Sequence, residues 1–192
     1  GTSYRRLDVP GGTLQGLSYC ATCDGAFYKD KTVAVIGGGD TALGDAMYLS
    51  RMAKKVYLVH RRQEFRANQA LQTAVQQNGA IELVLDAVPT AVLGEKRVDH
   101  LELLQNGTSK TLPVDGVFVA IGSIPNTDFL GNLCKLDESG YILADETGVT
   151  TTPGVFAAGD VRTTPLRQVV TAVADGANCV QSIEQYFRKG NG

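Results

Sequence analysis

The chain has 192 residues, of which 43% are hydrophobic, and a formal net charge of −2 at pH 7. This length and composition suffice for one large globular domain, or for one domain and part of another, and the near balance of charge gives no field that would recruit nucleic acid or an anionic membrane surface. No apolar run approaches the ~20 residues of a membrane span, and the amino terminus lacks a signal-peptide pattern. We therefore predict a cytoplasmic protein whose partners include neither nucleic acid nor membrane.

The first motif along the chain is Cys20-Ala-Thr-Cys23, which Asp24 follows directly. Two cysteines separated by two residues can close a small disulfide ring, and such motifs often take part in thiol–disulfide exchange. Asp24 is a candidate proton donor to the departing thiolate if burial favours its protonated form; alternatively, it only caps a turn. Cys20, Cys23 and Asp24 are the candidate catalytic residues.

Two other uses of the cysteine pair have to be weighed. A structural zinc site needs four ligands, and the other cysteines and histidines stand alone in the sequence: Cys134, Cys179, His60 and His100. A purely structural disulfide would be unusual in a reducing cytosol. We predict no metal site, and we interpret Cys134 and Cys179 as small buried hydrophobic residues.

The residues after the cysteine pair alternate between predicted strands and helices. The pattern predicts strands at 31–36, 56–59 and 81–85, and helices at 40–53 and 68–77. Asp40 is expected to cap the first helix. This β-α-β-α-β order is typical of the mononucleotide-binding half of a Rossmann-type domain with a parallel sheet, so the predicted fold class is α/β.

An antiparallel insertion is predicted next. Short strands at 91–93 and 98–104, with a turn at Asn106-Gly107, indicate a small sheet that covers one face of the parallel sheet. A last buried strand is predicted at 114–121, and the segment 122–126 is a candidate hinge because it contains glycine and proline.

The carboxy-terminal third is predicted to belong to a second domain. Strands are expected near 141–143 and at 155–157, followed by a helix from about 167 to 187. We divide the chain into a nucleotide-binding domain, residues 1–122, and the carboxy-terminal portion of a second Rossmann-type domain, residues 123–192.

A glycine-rich pattern, Gly37-x-Gly39-x-x-Ala42, lies between a predicted strand and a predicted helix. In a dinucleotide-binding loop the first glycine permits the tight turn, the second lets the backbone approach the pyrophosphate, and the third small residue permits close packing of the helix. A tight turn without a ligand is the alternative. The candidate cofactor-binding residues of this loop are Gly37, Gly38, Gly39, Asp40, Thr41 and Ala42.

The next strand ends in His60-Arg61-Arg62, and Arg66 follows four residues later. An NAD-binding domain carries an acidic residue at this place for the ribose hydroxyls, whereas guanidinium groups bind a 2′-phosphate through charge-assisted hydrogen bonds. The alternative is an ordinary solvated charge run. We predict that these four residues bind NADPH.

With these motifs in this order, the chain closely resembles low-molecular-weight thioredoxin reductases. The carboxy-terminal segment Thr152-Pro-Gly-Val-Phe-Ala-Ala-Gly-Asp-Val161 looks like the second FAD-binding motif of that family. The resemblance implies that Asp160 holds the ribityl chain. It adds these candidate cofactor-binding residues: Ile121, Gly122, Gly159, Arg167, Gln168 and Val169.

The resemblance implies a two-domain flavoenzyme that is normally a homodimer. NADPH reduces FAD, the flavin reduces the Cys20–Cys23 disulfide, and the dithiol reduces thioredoxin. In the family the second cysteine lies nearer the flavin, so Cys23 would meet the flavin and Cys20 would attack the thioredoxin disulfide. The nucleotide-binding domain would rotate between these steps about two chain crossings, near residues 1–3 and 122–125.

Some features of the family pattern are not found in this chain. The amino-terminal Gly-x-Gly-x-x-Gly segment for FAD would lie before Gly1, so we expect this chain by itself not to retain FAD and to be inactive. We also expect Val155, Phe156 and Val169 to be exposed or repacked. Ser123 stands where the family often has histidine, and Leu43-Gly44-Asp45 stands where an acidic pair is common.

Three other functions compete with this one. A flavoprotein that reduces a peroxiredoxin usually has Cys-Pro-His-Cys, which differs from the Cys20-Ala-Thr-Cys23 found here. A ferredoxin-dependent relative would not need Arg61 and Arg62. A module that binds NADPH without catalysis is the remaining alternative for this chain.

Overall fold

The computed structural model describes residues 1–190. The chain divides into two compact units, one formed by Arg5–Gly122 and the other by Gly1–Tyr4 together with the chain from Ser123 onward. The strands are β1 (Thr2–Tyr4), β2 (Leu17–Ser18), β3 (Thr32–Ile36), β4 (Lys55–Val59), β5 (Ile81–Val84), β6 (Ala87–Leu93), β7 (His100–Gln105), β8 (Thr108–Pro113), β9 (Gly116–Val119) and β10 (Ser123–Pro125). The α-helices are α1 (Ala21–Asp24), α2 (Asp40–Leu49), α3 (Gln69–Gln77) and α4 (Val169–Gly190).

The larger unit is built on a five-stranded parallel sheet in the order β2-β9-β3-β4-β5. β3, β4 and β9 are apolar along almost their whole length because both faces of the sheet are covered. One face packs on α2, whose buried residues recur every three or four positions: Ala42, Leu43, Ala46 and Leu49. The α/β fold class and the parallel sheet are therefore confirmed.

The other face of the parallel sheet packs against the predicted antiparallel insertion, which has three strands in the order β6-β7-β8. Asn106 and Gly107 connect β7 to β8 with φ values of 49° and 79°, as a two-residue hairpin turn with two positive φ angles requires. The sequence did not reveal β8, because Thr108–Pro113 is exposed at every position except Leu112 and carries little apolar pattern.

The boundaries of all three predicted helices differ between sequence and structure, and α4 runs from Val169 to Gly190 rather than from about 167 to 187. α2 ends at Leu49 rather than at residue 53, and the chain then turns so that the amide of Ala53 reaches the carbonyl of Leu49. α3 begins after Asn68, whose side-chain oxygen accepts the amide of Leu71 and so caps the helix.

The smaller unit includes the first residues of the chain. β1 and β10 pair in antiparallel register, from Thr2 opposite Pro125 to Tyr4 opposite Ser123. The sequence-based division had placed residues 1–4 with the nucleotide-binding domain, because a three-residue strand gives no signal of its partner. The functional assignment of the two domains stays a prediction.

The core of the smaller unit is small. Its buried apolar cluster consists of Cys134, Ile142 and Ala157, with half-buried neighbours that include Val155. By contrast, Val169, Val170 and Val173 at the start of α4 are 82%, 71% and 66% exposed. The expected exposure is thus found at Val169, whereas Val155 and Phe156 are half-buried. Across residues 1–190, no helix combines the length and apolar character that crossing a membrane requires.

Candidate functional site

The cysteine pair lies at the start of α1, directly after β2. Cys20 and Cys23 form a disulfide with a Cα–Cα distance of 5.3 Å. Cys20 is the N-cap residue, and its Sγ accepts a hydrogen bond of 3.2 Å from the amide of Cys23. Cys20 is half-buried and Cys23 is exposed. A thiolate formed on Cys20 by reduction would be stabilised by the same amide.

Asp24 is half-buried beside this disulfide. Its Oδ2 accepts a hydrogen bond of 2.7 Å from the hydroxyl of Ser18, and its amide donates to the carbonyl of Cys20. The carboxyl group is therefore held close to the backbone of the first cysteine. No group of three or more histidine, cysteine or acidic residues suited to a metal occurs among the described residues.

The glycine loop follows β3 and leads into α2, as predicted. The amide of Gly37 binds the carbonyl of Val59, which fixes the loop to the end of β4. A Cβ at Gly38 would overlap the imidazole of His60, so the backbone comes as close as only glycine permits. A Cβ at Gly39 would meet no atom within 4 Å. The open space beside Gly39 is where a phosphate could approach the amides at the start of α2.

Asp40 does not cap α2, contrary to the sequence-based expectation. Gly39 is the N-cap residue, and Thr41 and Ala42 follow within the first turn. Asp40 Oδ1 instead accepts hydrogen bonds of 2.9 Å and 2.7 Å from the backbone and side-chain nitrogens of Asn68. This interaction ties the glycine loop to the segment that carries the basic residues.

The basic cluster is anchored to the glycine loop at a second point. The amide of Arg66 donates a 2.8 Å hydrogen bond to the carbonyl of Gly38. The side chains of Arg61, Arg62 and Arg66 are exposed, and none of them takes part in an ion pair within residues 1–190. The backbone of Arg66 is therefore fixed to the glycine loop, and the three exposed guanidinium groups have no ion-pair partner among the described residues.

His60 differs from the three arginines because the residue is only 7% exposed. The imidazole stacks on Phe65 at 5.4 Å between ring centroids, and its Nε2 lies 3.2 Å from the carbonyl of Glu64. Burial, followed by the charges of the neighbouring arginines, lowers the pKa of His60, so the ring is uncharged at neutral pH. Among the four predicted basic residues, His60 is thus packed beneath the loop rather than displayed on it.

Ile121 and Gly122 lie at the same edge of the parallel sheet as the glycine loop. The amide of Ala120 binds the carbonyl of Ile36, and a Cβ at Gly37 would overlap the carbonyl of Ala120. The structure therefore brings Ile121 and Gly122 next to the loop, and both are exposed.

The remaining predicted site residues belong to the smaller unit. Gly159 and Asp160 form a single 3-10 turn, and Arg167 Nε lies 3.4 Å from the carbonyl of Asp160. The Arg167 guanidinium lies over the ring of Tyr141 at 4.1 Å. Gln168 and the exposed Val169 stand at the start of α4, so these five residues form one cluster.

A buried ion pair supports this second cluster. Asp175 accepts hydrogen bonds of 2.6 Å and 2.5 Å from Arg162 and one of 3.0 Å from the amide of Gly159. Both side chains are about nine-tenths buried. Hydrogen bonding to Arg162 lowers the pKa of Asp175.

Some of these supporting residues were not found from the sequence. Ser18, Asn68, Arg162 and Asp175 lie outside any motif that we singled out. The sequence does contain one signal for the ion pair. Arg162 follows Val161 and Asp175 follows Ala174, so two opposite charges stand next to apolar residues. A charge in such a place usually has a partner.

Asp45 on α2 provides a prediction about stability. Burial raises the pKa of its carboxyl group to about 6. At pH 7.5 the folded state has to hold a desolvated charge, so we expect Asp45→Asn to raise the free energy of unfolding by about 1 kcal/mol, discounted for solvent screening. Urea unfolding of both proteins measures the difference.

The pH dependence of the Asp45→Asn effect follows from the sign of the shift. A carboxyl group whose pKa is raised in the folded state stabilises the fold fully when the pH is below its pKa in the unfolded chain, which is about 4. That stabilisation is lost as the pH rises through the folded-state pKa of about 6. The two proteins should therefore converge between pH 6 and 4. The exposed Glu95→Gln serves as the matched control and should change little. An advantage for Asp45→Asn that is independent of pH would contradict this explanation.

Comparison with known proteins places these features in context. A family model described as pyridine nucleotide-disulphide oxidoreductase matches residues 1–176. The chain is 41% identical to a thioredoxin reductase of Listeria monocytogenes over 195 residues, which cover 98% of this chain and 61% of that protein. It is also 41% identical to a thioredoxin reductase of Chlamydia pneumoniae, over 96% of this chain and 62% of that protein.

Solved structures give the same picture. The crystal structure of thioredoxin reductase from Streptococcus pyogenes is similar with a TM-score of 0.89 and 39% identity, covering 98% of this chain and 64% of that one. Thioredoxin reductase from Giardia duodenalis gives a TM-score of 0.91 and 36% identity, with the same coverage. The chain spans about 61% of the length of the curated relatives that it matches.

Proposed function

We propose that this chain, which belongs to the pyridine nucleotide-disulphide oxidoreductase family, supplies the NADPH-binding domain, the redox dithiol and part of the flavin site of a thioredoxin-disulfide reductase. The observation that carries the proposal is the Cys20–Cys23 disulfide in the same compact unit as the glycine loop and the basic cluster. The relatives described above support thioredoxin as the substrate.

The arrangement of the glycine loop fits NADPH. The amides at the start of α2 face the open space beside Gly39, which suits a pyrophosphate. Arg61, Arg62 and Arg66 would bind the 2′-phosphate, because their segment is tied to the loop through the amide of Arg66 and their side chains are exposed without an ion-pair partner within residues 1–190. His60 would hold the arginine segment against Gly38.

The dithiol would reduce thioredoxin by two exchanges. The Cys20 thiolate, stabilised by the amide of Cys23, attacks one sulfur of the thioredoxin disulfide and forms a mixed disulfide, while a thioredoxin thiolate leaves. The Cys23 thiolate then attacks Cys20 Sγ, which restores the Cys20–Cys23 disulfide and releases the second thiolate. Two electrons pass to thioredoxin, and Asp24, which is hydrogen-bonded to Ser18, would exchange a proton at the cysteine pair.

The smaller unit fits one side of a flavin site. The Asp160 carboxylate makes no hydrogen bond among residues 1–190 and so can accept one from a ribityl hydroxyl. Arg167, Gln168 and Val169 at the start of α4 would meet the ring. Bound FAD would carry the two electrons of NADPH to the disulfide.

We also propose that the protein works in the cytoplasm and that the complete enzyme is a homodimer. A chain with one exchange-active cysteine pair and two further cysteines that are buried as free thiols suits a reducing compartment. The exposed valines at the start of α4 favour a second candidate function for this chain alone. In that case the chain would bind NADPH but would neither retain FAD nor catalyse the reduction of thioredoxin.

The proposal is tested with the dithiol itself. The purified chain is reduced, freed of reductant and mixed with oxidised thioredoxin, and the thiols of both proteins are counted by alkylation and mass spectrometry. We expect one thioredoxin to be reduced per chain, and we expect no reduction above background with Cys20→Ser or Cys23→Ser, because each variant lacks one of the two sulfurs that the exchange needs.

Further variants assign the two cysteines. Cys23→Ser should form a stable mixed disulfide through Cys20 with a thioredoxin that lacks its second cysteine and is activated as a mixed disulfide with a small thiol. Cys20→Ser should form much less of it. Cys134→Ala, which removes a buried thiol outside the pair, is the matched control. Full activity in a variant that lacks both Cys20 and Cys23 would rule the proposal out.

A further inference from the structure

Ser18 connects the cysteine pair to Asp24. It is the last residue of β2, where it pairs with Phe118 of the neighbouring strand β9, and it is 5% exposed. A buried hydroxyl on a paired strand has a fixed position and needs hydrogen-bond partners. All the partners of this hydroxyl belong to the redox motif.

The Ser18 hydroxyl has three neighbours. It accepts a 3.1 Å hydrogen bond from the amide of Cys20. Its own hydrogen can be donated to Asp24 Oδ2 at 2.7 Å or to the carbonyl of Cys20 at 3.3 Å. Because a hydroxyl carries a single hydrogen, these two donations are alternatives.

The two alternatives match the two protonation states of Asp24. When Asp24 is ionised, Ser18 donates to Oδ2. When Asp24 is protonated on Oδ2, the carboxyl group donates to Ser18 Oγ, and the hydroxyl hydrogen turns to the carbonyl of Cys20. Asp24 thus remains hydrogen-bonded to Ser18 whether it holds a proton or has released it.

We propose that Ser18 is a positioning residue that keeps Asp24 aligned with the cysteine pair in both protonation states. This inference rests on the proposed function of Cys20, Cys23 and Asp24 in thiol–disulfide exchange. When an external thiolate attacks the disulfide, one new disulfide bond forms and the Cys20–Cys23 bond breaks. Asp24 then transfers its proton to the departing thiolate, and Ser18 turns its hydrogen back to Oδ2.

The titratable groups around Asp24 include the cysteine pair and Tyr28, whose own pKa also responds to the charges of Arg97 and Asp115. Cys20 and Cys23 are joined as a disulfide in the resting state. Burial, and to a smaller extent the charge of Asp24, raises the pKa of Tyr28 above its usual value. The phenol of Tyr28 therefore stays protonated between pH 5.5 and 8.5. A change in rate between pH 5.5 and 8.5 can therefore be assigned to Asp24 by substitution.

The experiment uses the oxidised chain without flavin and dithiothreitol as the attacking thiol. Rates of reduction between pH 5.5 and 8.5 are divided by the thiolate fraction of dithiothreitol, which leaves the contribution of the proton donor. We expect the normalised rate of the wild type to exceed that of Asp24→Asn. In Ser18→Ala the normalised rate at pH 7 should fall by about tenfold, because Asp24 is no longer held in line with the cysteine pair.

Controls separate positioning from packing. Ser18→Thr keeps the hydroxyl and should stay within about twofold of the wild type. Ser109→Ala removes an exposed serine of β8 and should have no effect. A wild-type rate in Ser18→Ala, or an equal loss in Ser18→Thr, would overturn the proposal. Equal normalised rates in Asp24→Asn and the wild type would overturn it as well.

A measurement on the wild type does not depend on how the variants fold. In the oxidised chain, the amide resonance of Cys20 should titrate with the same midpoint as the carboxyl carbon of Asp24, because the Ser18 hydroxyl that accepts this amide turns with the proton. An amide that does not respond would refute the coupling. If thioredoxin is not a substrate, the dithiothreitol profile still reports on Ser18, so the two failures are distinguishable.

Discussion

Replacing Arg61 and Arg62 together with alanine is expected to weaken NADPH binding by about 100- to 1,000-fold and to leave NADH binding unchanged. Each guanidinium would lose a charge-assisted hydrogen bond to the 2′-phosphate, a group that NADH does not have. Both side chains are exposed and have no ion-pair partner within residues 1–190, so their removal breaks no salt bridge of the folded chain. Calorimetric titration of the purified chain with each nucleotide measures the effect.

A matched control removes the same charge elsewhere on the same unit. Arg51 is exposed just after α2, about 15 Å from the glycine loop along a ten-residue helix. Arg51→Ala should change NADPH binding by less than about twofold at moderate salt. An equal loss for both nucleotides in the double variant would mean that the arginines support the loop. No loss for either would mean that they are ordinary surface charges.

The sequence predicted the parts of the site that depend on local patterns. The glycine loop, the cysteine pair and the basic cluster are each built from residues only a few positions apart. The strand and helix patterns around these motifs predict that all three belong to one α/β unit. Asn106-Gly107 likewise predicted its own turn, because asparagine and glycine are the residues that most readily adopt the positive φ angles that this turn requires. Motifs of this kind carry their geometry in adjacent residues.

The remainder depends on contacts between distant residues, which a single sequence does not display. Asp40 binds Asn68 across 28 positions instead of capping its own helix. His60 is the first residue of the basic cluster in the sequence, but its ring is packed beneath Gly38. Residues 2–4 show no preference for a partner, and only the folded chain places them against β10. In each case tertiary packing selected one of several local possibilities.

Asp175→Asn is expected to lower the stability of the smaller unit by about 3 kcal/mol at pH 7. The substitution leaves the Arg162 guanidinium buried without its charge partner, and it weakens the acceptor for the amide of Gly159. Hydrogen exchange followed by mass spectrometry over residues 169–187 measures the effect within this unit. The same exchange read over α2 should be unchanged, because the larger unit has its own core.

The pH dependence and a control pair make this prediction specific. Because hydrogen bonding to Arg162 lowers the pKa of Asp175, the stability that the pair contributes is complete above the unfolded value near about 4 and is lost as the pH falls through the folded value. The gap between wild type and Asp175→Asn should therefore narrow only below about pH 4. Glu184→Gln breaks an exposed pair with Arg188 on the same helix and should cost no more than about 0.5 kcal/mol. If the two substitutions had equal effects, the Arg162–Asp175 pair would behave as a surface pair, and the support it gives to Gly159 would be negligible.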